Sequence, residues 1–550
     1  MLEFSPRFST HKVLVIDDIA SMRSQIVSNL TSMGFKDVWS VASCQKALAH
    51  IAHIQFDLIL CDYHLGEVTS GQQFLEHLRM RDLIPTTTIF VMVTARRAYE
   101  EVMRAAEFAP DDYLVKPFTG AQLNARLTKL FEKRYRFTAV HAAIDKSDWE
   151  LAIALCESIV QTNDRFSMEA IKLKGYALLR ARRIQEAELL YRTVLNIRPL
   201  GWAKLGLARA LRAQNALAAA ESVLGELLGD SQHYSASERM NAYDELTEVL
   251  EAADRNKEAL GIMQQAMALS SGSLARARKM TQLAVDEGDI ELAEKTVRKL
   301  VADQKHSQLK QSNDYLLASE VLSTAGHPED ALTVVHDVRK AFDDTRDVQT
   351  LTVAEATACV AKGDDAVAQK LLQSVPVEGA TELPAATAAA LGKSLYRLGH
   401  NEAADKVMRQ LVQNNPDSKE VIRSVHAAMA AVGRQDQAKQ LVDSSLEEVA
   451  KINDDGVRLA YAGKLDEAVA MLSKAAELLP GNIQFVSNAA LVMALALTKT
   501  ETVDRNQYEA CLKYRKIVAT REPNHPKLAQ IDGLLKILEV ASHDVASRRA

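Results

Sequence analysis

The sequence predicts two architectures joined near residue 135. The first is an α/β domain with a doubly wound, five-stranded parallel sheet over residues 10–133. The second is an all-α solenoid of about eleven helical hairpins over residues 136–523, with a capping helix and tail over 524–550. Three observations carry this reading. Short β-branched runs alternate with helical segments up to about residue 135, and beyond it the strand-like runs stop. From there a small alanine recurs about every 36 residues, and a fixed period of that size marks a repeat architecture.

In the first part, Lys12 to Asp17 reads as a strand and Ala20 to Ser32 as an amphipathic helix. Val38 to Val41 is a second strand, and Ser43 caps a helix running to about His53. Leu58 to Cys61 is the third strand, followed by a helix from about Gly71 to Arg81. Ile89 to Val93, a helix around Glu100 to Phe108, the strand Asp112 to Val115 and a helix opening at Thr119 complete the series. Parallel strands need crossover connections, so the alternation implies a sheet covered on both faces. Ligands of such sheets bind beyond the carboxyl ends of the strands.

Acids gather at that edge. Asp17 and Asp18 end the first strand, Asp62 the third and Thr94 the fourth, and Lys116-Pro117 follows the fifth. Three converging carboxylates repel one another unless a cation sits among them, and hard oxygen ligands suit Mg2+. A lysine and a hydroxyl alongside can hold the oxygens of a phosphoryl group. An Asp at a strand end is by itself only a turn or cap residue; the ordered set is what points to chemistry.

These residues resemble the receiver domain of bacterial two-component response regulators, a flavodoxin-like fold. The pattern stands as Ile16-Asp17-Asp18, Leu60-Cys61-Asp62, Val93-Thr94-Ala95 and Tyr113-Leu114-Val115-Lys116-Pro117-Phe118. The resemblance implies that Asp62 is the phosphoacceptor and that Asp17, Asp18, Asp62 and the backbone carbonyl of His64 hold Mg2+. Thr94 and Lys116 would hold phosphoryl oxygens, and Tyr113 would act with Thr94 as the switch. His64, two residues after Asp62, and Arg96, two after Thr94, would overhang the phosphoryl group and lengthen its lifetime; the other reading is that both point to solvent. The family's frequent Met-Pro after the phosphoacceptor is absent, and Tyr63 to Gly71 follows instead. The face bearing Tyr113 and the last receiver helix is where the family often dimerises, so a homodimer through it is implied.

The repeats read as a turn, often with glycine, and a small alanine about five residues later. The alanines are Ala152, Ala187, Ala220, Ala259, Ala293, Ala331, Ala368, Ala404, Ala438 and Ala468, with Ala510 a looser match. Small residues suit the close approach of two helices, and prolines such as Pro199, Pro416 and Pro480 end the second helix. This resembles the tetratricopeptide repeat (TPR), whose Trp-x-x-Leu-Gly signature stands at Trp202 to Gly206, although that hairpin reads as irregular around Gln214 to Ala219. The stretches Lys305–Asn313, Pro376–Pro384 and Thr498–Asn506 read as long loops within one array. By the repeat register, Lys172, Tyr176 and Arg180 share one groove-lining helix, and Lys393, Tyr396, Arg397 and Arg423 fall similarly in two later units. Such basic, aromatic-bearing stretches suit acidic peptide segments or a chain-end carboxylate, against the plainer reading of exposed charges.

Composition excludes several classes. Hydrophobic content of 47% with 25% charged residues argues against disorder, and sparse aromatics (5%), Gly (22) and Pro (12) favour helix. The longest strictly apolar run, Ala489 to Leu497, is far too short to span a bilayer. The first residues lack a signal pattern, and five scattered cysteines suit a reducing compartment, so the expected location is the cytoplasm. Residues 1–135 hold 15 of the 72 acids and 15 of the 66 bases, so the net charge of −6 lies in the repeats and disfavours nucleic-acid binding. His50 and His53, one turn apart, read as surface histidines. The clusters Arg180, Arg182, Arg183 and Arg276, Arg278, Lys279 read as solvated faces.

The sequence therefore predicts a response regulator, not an enzyme acting on other substrates. A sensor histidine kinase would phosphorylate Asp62, and the TPR array would bind an unnamed protein partner. The alternatives are a constitutive scaffold with the receiver as a docking module, and a transcription regulator with an unrecognised DNA-binding segment.

Overall fold

The computed structural model describes residues 8–65, 70–81, 83–95, 110–269, 273–304, 310–500, 504–522 and 525–547. Five strands, β1 (Lys12–Ile16), β2 (Asp37–Val41), β3 (Leu58–Asp62), β4 (Ile89–Ala95) and β5 (Asp112–Lys116), pair in parallel in the order β2-β1-β3-β4-β5. Side chains alternate across the sheet, as period-two strands require. Val13, Val15, Leu58, Leu60 and Val91 face α1 (Ala20–Ser32) and α4 (Gly120–Asp145). Leu14, Ile16, Ile59 and Phe90 face α2 (Cys44–Ile51) and α3 (Gly71–Met80). Both faces are thus buried, which is why these strands read as continuous apolar runs. The helix expected around Glu100–Phe108 lies outside the described residues.

Caps set where the helices begin. Ser43 accepts the Lys46 N–H, and Ser70 and Thr119 each form a full capping box, with Gln73 and Gln122.

The chain divides into two compact units, Met1–Lys310 and Gln311–Ala550. The boundary falls within the Lys305–Asn313 stretch, which the sequence presents as a loop inside one array.

The first unit holds the sheet and five hairpins. The C-terminal half of α4 pairs with α5 (Trp149–Gln161), α6 (Ser167–Arg180) with α7 (Ile184–Ile197), and α8 (Gly201–Ala213) with α9 (Leu217–Gly229). Then α10 (Ala236–Ala252) pairs with α11 (Asn256–Leu269), and α12 (Leu274–Asp286) with α13 (Ile290–Gln304).

The second unit continues with α14 (Ser312–Thr324) on α15 (Pro328–Val338), α16 (Thr345–Lys362) on α17 (Asp365–Gln373), and α18 (Ala385–Arg397) on α19 (Asn401–Asn414). Here α20 (Lys419–Ala430) packs on the first half of the long α21 (Gln435–Tyr461), whose second half packs on α22 (Leu465–Leu478). Last come α23 (Ile483–Lys499) on α24 (Arg505–Arg521), and the closing α25 (Pro526–Ser547). These are TPR-like helical hairpins. No described helix is long and apolar enough to cross a membrane.

One turn geometry explains the period. A residue with positive φ stands five positions before each of the ten regular alanines: Ser147, Arg182, Asn215, Asp254, then Gly288, Gly326, Gly363, Gly399, Gly433 and Gly463. The left-handed residue ends the first helix, and every one of the ten alanines is fully buried where the second helix crosses it. Four turns use a non-glycine residue at some conformational cost, which hides them from a search for glycine. The Trp202 hairpin is regular after all, since Asn215 takes the left-handed position. In the last hairpin Cys511, not Ala510, is fully buried.

Close approach also dictates glycine inside helices. The Tyr191 ring lies between α6 and α8, where a Cβ on Gly175 or Gly206 would collide with it. Gly206→Ala is expected to destabilise the fold by the overpacking cost of about 1–3 kcal/mol and so lower the melting temperature, and Tyr191→Leu in the same chain to recover part of the loss. Thermal unfolding followed by circular dichroism checks this; an unchanged midpoint would contradict the close approach.

The basic cluster at Arg276 is not a solvated face. Arg276 is 2% exposed, and its Nε and Nη2 donate to the two Asp244 oxygens at 2.8 and 2.7 Å, because only a paired guanidinium tolerates such burial. All five cysteines are free and buried.

Candidate functional site

Strand register builds the site. Ile16 pairs with Cys61, so Asp17 and Asp62 emerge level at the carboxyl edge; Asp62 pairs with Val93, one step before Thr94, and Ala95 pairs with Lys116. The edge lies where strand order reverses, between β1 and β3, the position at which doubly wound sheets open a crevice.

Asp17, Asp62 and Thr94 are buried and Asp18 is exposed. One oxygen from each of the three carboxylates lies within 4.8 Å of the others. Lys116 Nζ lies 2.8 Å from Asp17 Oδ2 and 3.0 Å from Asp62 Oδ2, and the Lys116–Pro117 peptide is cis. Burial raises the Asp62 pKa, and Lys116 only partly offsets it. Burial works against the Lys116 ammonium, but bonds to Asp17 and Asp62 outweigh it and hold its pKa above the ordinary lysine value. Three carboxylates against one ammonium leave two negative charges, and the donors are all hard oxygens. That set fits a divalent cation such as Mg2+.

Two supporting residues escape a motif search. The Arg23 Nη1 donates to the carbonyls of Asp17 at 2.6 Å and Asp18 at 3.0 Å, holding the acidic turn by its backbone. Its signal in the sequence is its place one turn into the helix that follows the acidic pair. Gly71 opens α3 directly against β3, where a Cβ would collide with the Asp62 carbonyl, and its N–H donates to Tyr63 O at 2.8 Å. A glycine is thus required where α3 opens against the end of β3.

The remaining predicted residues divide. The Thr94 hydroxyl donates to the Ala95 carbonyl at 3.2 Å. Tyr113 is half-buried against the core between the sheet and α3 that includes Phe90 and Phe74. His64 is exposed, its ring edge-on to Tyr63 and its backbone bridged to Ser70. Arg96 lies outside the described residues. The His50 ring packs at a tilt against Trp39, with ring centroids 5.0 Å apart.

In the repeats, Lys172, Tyr176 and Arg180 do share an exposed line along α6. Tyr176 meets the Trp149 ring edge-on, and the Arg180 guanidinium stands 5.4 Å from the same ring. The second group does not form a like surface. Tyr396 is buried; its hydroxyl donates to Asp405, and Arg434 covers its ring, so this aromatic serves packing. Lys393 and Arg397 instead act on the Glu320 carboxyl, while Arg423 is exposed on α20.

The response regulator receiver domain family matches residues 13–128. Over 122 residues the chain is 29% identical to chemotaxis protein CheY-3 of Vibrio cholerae serotype O1, covering 22% of this chain and 92% of that protein. It is also 29% identical over 122 residues to chemotaxis protein CheY of Pseudomonas aeruginosa, covering 22% and 97%. Among solved structures, a tetratricopeptide repeat protein from Parabacteroides merdae aligns with 44% of this chain and 91% of its own, at 13% identity and a TM-score of 0.30. The APC/C hetero-tetramer Cut9-Hcn1 aligns over 76% and 86%, at 12% identity and a TM-score of 0.35. Residues 13–128 are a response regulator receiver domain, and a run of TPR-like helical hairpins follows it in the same chain.

Proposed function

We propose that the chain is a cytoplasmic, phosphorylation-controlled response regulator whose repeats bind a protein partner. The observation that carries this is the Lys116 ammonium held between Asp17 and Asp62, with Thr94 one step further along the neighbouring strand at the sheet's carboxyl edge. An Asp62 oxygen attacks the phosphorus of a histidine kinase's phosphohistidine, forming a P–O bond as the P–N bond breaks. Asp17, Asp18, Asp62 and the His64 carbonyl would hold Mg2+, which supplies positive charge to the transferring group. Lys116 holds one phosphoryl oxygen and Thr94, turning from the Ala95 carbonyl, another. Tyr113 and Thr94 would form the switch, and the exposed His64 would help shield the phosphoryl group from water, as would Arg96, which lies outside the described residues. The chain acts on no other substrate.

On this reading the partner site would lie along α6. Among the described residues neither Lys172 nor Arg180 has an ion pair, and the Trp149–Tyr176 pair gives an aromatic floor, which suits an acidic peptide segment. A pull-down from native lysate, with wild type and Asp62→Ala, each with and without acetyl phosphate, tests the function. Partner recovery should change with phosphodonor in wild type only, and Lys172→Glu with Arg180→Glu should abolish it. Recovery indifferent to both phosphodonor and Asp62→Ala would leave the constitutive scaffold as the better reading.

A further inference from the structure

Helix α7 turns an uncovered apolar edge outward. Leu189 is 67% and Ile197 80% exposed, with exposed Thr193 midway between them. Spaced four apart, the three form one line along the helix. The ridge forms one wall of a cleft of 510 Å³ that Val160, Met168, Ile171 and Leu190 also line. Ridge and cleft thus make one surface. A two-fold interface buries the same patch on both copies, so one self-complementary apolar surface is enough.

We propose that this face joins two copies of the chain, with α7 antiparallel to the partner's α7 about a two-fold axis through Thr193. Leu189 and Ile197 stand four residues either side of Thr193, about 6 Å along the axis in each direction. The two-fold therefore sets Leu189 against the partner's Ile197, and Ile197 against the partner's Leu189. Thr193, small and on the axis, lets the helices approach to packing distance.

Charge selects this occupant over others. Glu186 stands in the first turn of α7, where it shares Arg183 with Glu150 and so leaves that end one net negative charge, and Arg198 stands just past the other end; both are exposed. Antiparallel copies bring Glu186 beside the partner's Arg198 at both ends of the contact. Arg198 has no ion pair among the described residues, whereas the cleft's Lys174 is already matched, 2.7 Å from Glu157. A uniformly acidic or basic peptide would be repelled at one end of the ridge, and a parallel copy would set like charges together. The proposal does not depend on the receiver chemistry, and this surface is not the face with Tyr113.

The full chain provides the test. All five native cysteines are buried, so Thr193→Cys places an exposed thiol on the proposed axis. Mild oxidation should yield a disulfide-linked dimer on a non-reducing gel. In sedimentation velocity the wild-type chain should associate, and Leu189→Glu with Ile197→Glu should make it monomeric. Arg198→Glu should weaken association about tenfold, and adding Glu186→Arg should restore it. These positions are exposed, so circular dichroism should show an unchanged fold. A wild-type chain that is monomeric at every accessible concentration overturns the proposal. So does a dimer that survives the double Glu variant, or Arg198→Glu association that Glu186→Arg does not restore.

Discussion

Asp62→Asn should abolish labelling by acetyl phosphate, while wild type labels only when a divalent cation is present. The amide keeps the shape of the side chain but removes the nucleophilic oxygen and one of the negative charges that gather the cation. Lys116 already lies 3.0 Å from Asp62 Oδ2, so the variant also loses the ion pair that positions the attacking atom. Asp18→Asn should act differently. Its side chain is exposed and outside the lysine contacts, so it should raise the cation concentration needed while labelling persists at high cation. Radiolabel incorporation across a Mg2+ titration separates the two. Labelling that persists in Asp62→Asn, or in chelator, would remove Asp62 as the acceptor.

The second large effect is expected at the joint. Helix α4 is unbroken from Gly120 to Asp145, roughly 39 Å at 1.5 Å per residue. Its first half buries Leu123, Leu127 and Phe131 in the sheet domain, and its second half buries Phe137 and Val140 against the first hairpin. One helix thus belongs to two cores. Polar contacts fix it on both sides: Arg134 binds Asp57 at the foot of β3, Lys133 lies 2.8 Å from Glu169, and Thr86 donates to Asp145 at 2.8 Å. Burial disfavours ionised Asp57, but His11, Lys12 and Arg134 more than offset it and hold its pKa below the usual carboxylate range. A glycine–serine stretch inserted after Lys133 leaves Asp17, Asp62, Thr94 and Lys116 untouched. Labelling of Asp62 should survive, and the response of partner binding to phosphorylation should be lost, because a flexible linker transmits no rotation. Full response in that variant would refute a rigid joint.

The receiver site was legible in the residues because its chemistry demands acids, a hydroxyl and a lysine at strand ends, and strand ends can be read from apolar runs. The unbroken α4 was legible too, since no proline or further glycine interrupts Leu123 to Phe137. Arg276 and Tyr396 misled for one reason. A long polar side chain reads as surface, and only the arrival of Asp244, or of Asp405 and Arg434, makes its burial tolerable.

By itself the sequence determined the α/β domain, the acid edge, the ten buried alanines and the run of hairpins. Each rests on periodicity or local backbone geometry, which neighbouring residues control. Only the tertiary structure decided that Gly71 meets the Asp62 carbonyl, that Arg23 pins the acidic turn, and that Arg134 ties α4 to Asp57. It also decided that α7 leaves Leu189 and Ile197 uncovered. Those facts depend on which distant segments come within a few ångströms, and no local period encodes that distance.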